Sequence, residues 1–181
     1  MREATIARNY AEALLALADK ANDRAGWGRL IADVADSMRR EERLRHFLAS
    51  PRVSNDEKNR VLGQAFQDRM PRLFVRFLQR LVSNRRQMLI PHVAVEYQGL
   101  LDALENRVHA NVTVAREPSD GETQTIAREL SRAVGKQVVP HVTVNSAILG
   151  GVVVRMGDTV MDGSVRHRLS VLRSRMAGQR R

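Results

Sequence analysis

A pair of glycines, Gly150 and Gly151, is the first candidate for chemistry, because glycine loops can cradle a phosphate. Such a loop must lead into the N-terminus of a helix, whose amides complete the cradle. Here the glycines lead into three consecutive valines, Val152, Val153 and Val154, which favour a strand. We therefore predict that the glycines allow a close backbone approach or a bulge, and that the chain binds no cofactor there.

The histidines do not form a recognisable metal motif. None of the five belongs to an HExxH motif or has a second histidine at helical spacing: His46, His92, His109, His141 and His167. His109 and His141 could meet across neighbouring strands, but the sequence offers no third ligand for that pair. We predict histidines on strand faces and surfaces, and no metal site.

No group of residues has the spacing of a catalytic centre. The chain has no cysteine, so thiolate nucleophiles and disulfides are excluded, as expected of a protein from a reducing compartment. No GxSxG turn presents a serine. Adjacent acids such as Glu41 and Glu42 fall at helix starts, where interaction with the helix dipole explains them. The sequence predicts a protein that is not an enzyme.

The formal net charge of +10 is carried almost entirely by arginine and leaves nucleic-acid binding open as the alternative function. A helix-turn-helix reader could use Arg80, Arg85 and Arg86 between two helices. Against RNA binding, residues 108–181 contain no Phe, Tyr or Trp on which bases could stack. After Asp162 there is no acid while arginines accumulate, at positions 166, 168, 173, 175, 180 and 181.

Helical periodicity dominates the first 107 residues. Apolar residues recur at helical spacing in residues 3–20, 24–40, 44–48, 61–66, 74–81 and 90–108. Ser54 and Glu57 form a capping box at the start of the fourth segment, and Pro51 ends the third. Short connections between amphipathic helices predict a six-helix bundle, in which each apolar stripe packs on another.

At Val108 the period changes to two, and we place the domain boundary there. The pattern that follows predicts a strand, a helix, three strands and a closing helix. Ser119 and Glu122 form a capping box at the start of the first of these helices, and Gly135 is its C-terminal stop. Pro140 indicates an edge strand, and Gly157-Asp158 indicates a two-residue hairpin turn. The fold class is therefore mainly α, with the helical bundle over residues 1–107 and a small α/β domain over residues 108–181.

The first helix is rich in alanine beside its apolar stripe, so another helix could approach it closely. Ala4, Ala7, Ala11, Ala16 and Ala18 supply the small residues. An amphipathic helix laid in such a groove is a common mode of recognition. Taken alone, these alanines are better explained by packing between neighbouring helices within the bundle.

Two segments give the chain a family resemblance. The run ILGGVVVRMGDTVMDGS at residues 148–164 closely resembles the C-terminal signature of F-type ATP synthase delta subunits, whose mitochondrial relative is the oligomycin-sensitivity-conferring protein. Its shared positions are Gly150, Gly151, Gly157, Asp158, Asp162 and Gly163. The opening IARNYAEAL at residues 6–14 resembles that family's first helix. Asn145 and Pro140 depart from the family pattern, at positions that affect only local strand geometry.

The resemblance implies a stator subunit that holds other proteins together and catalyses nothing. It implies that the helical domain binds the N-terminal helices of alpha subunits and that the C-terminal domain holds the b subunits of the peripheral stalk. By resemblance, the groove for the alpha helix lies between the first and fifth helices, at Tyr10, Ala13, Leu14, Leu78 and Leu81, with Trp27 nearby.

The expected location follows from the same resemblance and from hydropathy. No run approaches the roughly 20 apolar residues that span a bilayer, and the start of the sequence lacks the apolar segment of a secretory signal. We expect a chain at the cytoplasmic face of the bacterial inner membrane, associated with it only through its complex.

Overall fold

A computed structural model of the chain describes residues 2–66 and 69–178. It is mainly helical with a small four-stranded sheet, and it divides into two compact units between Asp102 and Ala103. The boundary expected at residues 107/108 falls at the start of the first strand. Arg180 and Arg181 of the basic tail lie outside the described residues.

Helices make up the first unit. They are α1 (Arg2–Lys20), α2 (Arg24–Arg40), α3 (Glu42–Ala49), α4 (Asn55–Phe66), α5 (Arg72–Ser83) and α6 (Ile90–Leu104), with a 3-10 turn at Gln87–Leu89 before α6. Side chains cap the N-termini of α2 and α4. Asp23 accepts a hydrogen bond from the Gly26 amide at 2.8 Å, and Ser54 accepts one from the Glu57 amide at 3.2 Å.

One contiguous apolar core fills this unit. Trp27 of α2 packs edge-on against Phe74 of α5, with ring centroids 5.6 Å apart. Leu14, Leu78 and Leu81 are fully buried in the same core. α5 buries six residues along one stripe, so one full face of this helix belongs to the core.

Tyr97 of α6 is a core residue whose hydroxyl is hydrogen-bonded to the backbone of α2. Its side chain is fully buried, and its hydroxyl donates a hydrogen bond to the Arg24 carbonyl at 2.8 Å. Burial, followed by the charges of Asp19 and Asp23, raises the pKa of Tyr97 to about 12. The neutral phenol is therefore the form that the fold stabilises.

Tyr97→Phe is expected to lower the free energy of unfolding at pH 7 by about 1 kcal/mol, because the Arg24 carbonyl loses its donor. In the parent chain the Tyr97 phenol ionises near pH 10 in the unfolded state but only near pH 12 in the folded state. The contribution of the neutral phenol to the free energy of unfolding is therefore lost as the pH rises from about 10 to about 12. The variant should lose less stability across that window. Urea titrations followed by Trp27 fluorescence at several pH values test this, and an identical decline in both proteins would contradict it.

The second unit is a sheet covered on one face by a helix. Its elements are β1 (Arg107–Val114), α7 (Asp120–Val134), β2 (Gln137–Val144), β3 (Val152–Met156), β4 (Thr159–Asp162) and α8 (Val165–Gly178), with a 3-10 turn at Ser146–Ile148. The strand order is β2-β1-β3-β4, with β1 parallel to β2 and antiparallel to β3. Pro140 lies in β2 at the edge of the sheet, as predicted.

The expected turn chemistry is present in this unit. Ser119 and Glu122 form a capping box at the start of α7, and Gly135 ends the helix with φ at 71°. Gly157 and Asp158 connect β3 to β4, since Met156 pairs with Thr159. The apolar face of α7 covers the valines of β1, β2 and β3, which form a second, separate core.

Candidate functional site

The first candidate surface runs along α1 beside α5. Two stripes lie side by side on α1, both with spacing 4, 3, 4: the fully buried one consists of Ala7, Ala11, Leu14 and Ala18. The other is formed by Ile6, Tyr10, Ala13 and Leu17, of which Ala13 is exposed and the rest are half-buried. Since the second stripe lies at the margin of the core, it leaves apolar surface uncovered.

Tyr10 connects this second stripe to α5. Its ring meets Phe77 edge-on, with centroids 6.3 Å apart, and its hydroxyl accepts a hydrogen bond from the Asn84 side chain at 2.9 Å. Leu73 lies on the same side of α5, one turn before Phe77, and is 45% exposed. We call the stripe of α1 together with Leu73 the α1–α5 surface; Phe77 is only 7% exposed and belongs to the core beneath it.

The structure separates the six residues predicted at this groove. Ala13 is exposed and Tyr10 is half-buried, so both contribute to the surface of the unit. Leu14, Trp27, Leu78 and Leu81 are at most 1% exposed and lie in the core beneath. The contacts of Tyr10 with Phe77 and Asn84 were not predicted from the sequence. The available signals were the apolar character of position 77 on α5 and the asparagine at the end of that helix.

The glycine-rich run brings two backbone segments of the second unit close together. Gly150 and Gly151 lead into β3, as predicted, and a Cβ on Gly151 would lie 2.4 Å from the Gly163 carbonyl oxygen. The Gly163 amide donates to the Val152 carbonyl at 2.9 Å. The loop before β3 therefore passes directly against the backbone that leaves β4.

That close approach fixes the start of α8. The Val165 amide donates to the Gly150 carbonyl at 2.9 Å, and Ser164 accepts from the His167 amide at 3.1 Å. Asp162 accepts from the Ser164 amide, and hydrogen bonds from the side chain and amide of Ser164 lower the pKa of this carboxyl. The conformation of the run thus determines where the last helix begins.

A cleft of about 840 Å³ lies between this loop and the start of α7, lined in part by Leu149, Val152 and Ile126. Its charged residues, Arg116 and Glu122, are paired with each other. Hydrogen bonds from Arg116 and from the Ser119 amide lower the pKa of Glu122 to about 2. A carboxylate held in this way is a poor proton donor or acceptor near neutral pH, so the cleft is unsuited to acid–base chemistry.

His109 and His141 do meet across β1 and β2, with ring nitrogens 2.8 Å apart. Within residues 2–66 and 69–178 there is no group of three or more acidic or histidine side chains that could hold a metal ion. None of the helices in the same ranges is long and apolar enough to cross a membrane.

Comparison with known proteins gives one consistent result. The family model for the ATP synthase delta (OSCP) subunit matches residues 6–176. An ATP synthase subunit delta of Gemmatimonas aurantiaca is 58% identical over 97% of this chain and 95% of its own length. One of Methylobacillus flagellatus is 34% identical over 96% and 97%, respectively.

A solved structure supports the same fold. A chain of the Toxoplasma gondii mitochondrial ATP synthase hexamer, determined by cryo-EM, superposes with a TM-score of 0.63 at 24% identity, covering 94% of this chain and 97% of its own. At this level of identity the likeness concerns the fold alone.

Proposed function

This chain belongs to the ATP synthase delta (OSCP) subunit family, and on that basis we propose that it links the catalytic head of a bacterial F-type ATP synthase to the peripheral stalk. As a member of this family it is a non-catalytic, structural subunit of the stator. We place it at the cytoplasmic face of the inner membrane, where it associates with the membrane through its complex.

The α1–α5 surface is the observation that carries the proposal. We propose that the N-terminal helix of an alpha subunit docks there, with its apolar face on Tyr10, Ala13 and Leu17. The half-buried side chains are already ordered by the core and by the contacts of Tyr10 with Phe77 and Asn84. Preorganised apolar surface favours tight docking, because little side-chain entropy is lost on binding.

The buried residues of the predicted groove have a supporting role in this proposal. Leu14, Leu78 and Leu81 hold α1 and α5 together beneath the surface, and Trp27 supports α5 through Phe74. The six helices then act as one bundle over residues 1–107, while residues 108–181 hold the b subunits.

A stator must resist torque, which requires slow dissociation of each contact. A nanomolar complex corresponds to about −12 kcal/mol. Exposed ion pairs contribute only about 0 to 1 kcal/mol each, so they cannot supply this alone. Burial of apolar helix faces contributes roughly 25 cal/mol per Å² and is the larger source of affinity.

The proposal is tested by calorimetric titration of the full chain with a peptide that copies the N-terminus of its cognate alpha subunit. We expect saturable binding at micromolar or lower concentration. Trp27 is only 1% exposed, so its emission should change little and calorimetry is the primary readout. No heat at micromolar concentration would contradict the assignment.

Nucleic-acid binding was the alternative suggested by the net charge of +10, and nothing in the comparisons supports it. The two functions differ in their response to salt. Binding to phosphates weakens steeply as salt is raised, whereas apolar helix docking changes little. Peptide affinity that persists from 50 to 200 mM salt therefore favours the stator function.

A further inference from the structure

The last helix, α8, carries an apolar seam that the described residues leave uncovered. Four apolar side chains follow one another at spacing 4, 3, 4 and are exposed by 39%, 53%, 54% and 72%: Val165, Leu169, Leu172 and Met176. This is the spacing of the d and a positions of a coiled coil over two heptads. The seam is about 17 Å long, at 1.5 Å per residue.

Arginines flank this seam on both sides. Positions e of the two heptads are Arg166 and Arg173, and positions g are Arg168 and Arg175. In coiled coils these flanking positions select the partner through charge. Arg166, Arg168 and Arg173 are all exposed, and the sequence from residue 163 onward contains no acidic residue that could neutralise them within α8.

The all-arginine flanks argue against a second copy of this chain as the occupant. In a parallel α8 pair each g position faces an e position of the partner, and in an antiparallel pair like positions face each other. Both arrangements would place arginine opposite arginine, and such like-charge pairs are unfavourable. The occupant must therefore bring negative charge along with its apolar stripe.

We propose that α8 binds an amphipathic helix that carries Glu or Asp on both sides of a heptad apolar stripe, by two-heptad coiled-coil packing. The assignment of this helix to a b subunit of the peripheral stalk rests on the proposed function. The glycine-rich run then has a purpose in docking, because Gly150 and Ser164 hold the first turn of α8 in place.

The test uses the full chain and two synthetic three-heptad peptides, both with Leu at a and d, one with Glu and one with Lys at every e and g. The Glu peptide should bind at concentrations up to about 100 µM, and the Lys peptide should not. A triple variant should bind the Glu peptide at least about tenfold more weakly than the parent chain and should gain binding of the Lys peptide. It combines Arg166→Glu, Arg168→Glu and Arg173→Glu. The matched control reverses three exposed arginines of the first unit: Arg29, Arg43 and Arg52.

Several outcomes would overturn the inference. Equal binding of both peptides, binding of neither, or equal effects of the two triple variants would each do so. Binding to phosphatidylglycerol vesicles that the triple variant of α8 abolishes, with no peptide binding, would assign the helix to an anionic membrane instead. A soluble fragment of the cognate b subunits separates this inference from the proposed function. If the b fragment binds the parent chain and the triple variant of α8 equally well, only the coiled-coil inference fails. If the Glu peptide binds but the b fragment does not, the assignment of the partner to a b subunit fails.

Discussion

Gly151→Ala is expected to lower the free energy of unfolding of the second unit by about 3 kcal/mol or more. Gly151 has φ at +76°, a region that costs an L-residue about 1 kcal/mol or more. The added Cβ would also lie 2.4 Å from the Gly163 carbonyl oxygen. That oxygen belongs to the backbone, so the contact is relieved only by moving the chain between β4 and α8.

Gly157→Ala is the matched control for this substitution. Gly157 also has a positive φ, at +55°, but a Cβ there would meet no atom within 4 Å. Gly157→Ala should lower the free energy of unfolding of the second unit by only about 1 kcal/mol, which is the part of the effect due to the positive φ. The difference between the two variants then isolates the close approach between backbone segments.

Thermal unfolding followed by two signals measures the difference. Circular dichroism reports on both units, whereas the fluorescence of Trp27, the sole tryptophan, reports on the first unit. Gly151→Ala should lower the transition of the second unit and leave the Trp27 transition unchanged. Equal destabilisation by both substitutions would show that the close approach is unimportant.

Ala13→Glu is expected to weaken binding of the alpha-subunit peptide at least about a hundredfold. Ala13 is the exposed member of the stripe on α1, so the substitution should change the stability of the free chain by no more than about 0.5 kcal/mol. A docked apolar helix would cover the new carboxylate and leave it unpaired. Loss of about 3 kcal/mol, the cost of burying such a group, corresponds to the expected loss of affinity.

Ala4→Glu provides the control, because Ala4 is also exposed on α1 but lies about 180° around the helix from Ala13. Its peptide affinity should stay within about twofold of the parent chain. Calorimetry of both variants under the same conditions measures this. If Ala13→Glu also retains the parent affinity, the peptide does not dock on the α1–α5 surface.

Local chemistry explains which parts of the fold could be read from the sequence. The capping box at Ser119 and Glu122, the stop at Gly135, the edge strand at Pro140 and the Gly157-Asp158 turn each require particular residue types, and the structure confirms them. Such features depend on a few neighbouring residues, so pattern analysis finds them.

The division of α1 between core and surface was harder to predict because it depends on tertiary packing. Tyr10 and Leu14 are about 40° apart on α1, and both belong to one apolar face in the sequence. Leu14 is fully buried, whereas Tyr10 reaches the margin. Periodicity identifies an apolar face but cannot divide it between the core and a partner. The part played by Asn84 depends on a contact 74 residues away in sequence.

The seam of α8 illustrates the opposite case. Its heptad spacing and flanking arginines are present in the sequence, but the same apolar residues would equally suit a helix packed on its own sheet. Only the exposure of Leu169 and Leu172 distinguishes the two possibilities.

Native mass spectrometry of the full chain with both partners tests the central claim most directly. The chain is mixed with the alpha-subunit peptide and a soluble fragment of the b subunits. We predict one species that contains all three components, from which Ala13→Glu removes only the peptide and the triple arginine variant of α8 removes only the b fragment. Mutually exclusive binding, with two binary complexes and no ternary species, would contradict a protein whose function is to hold the two together.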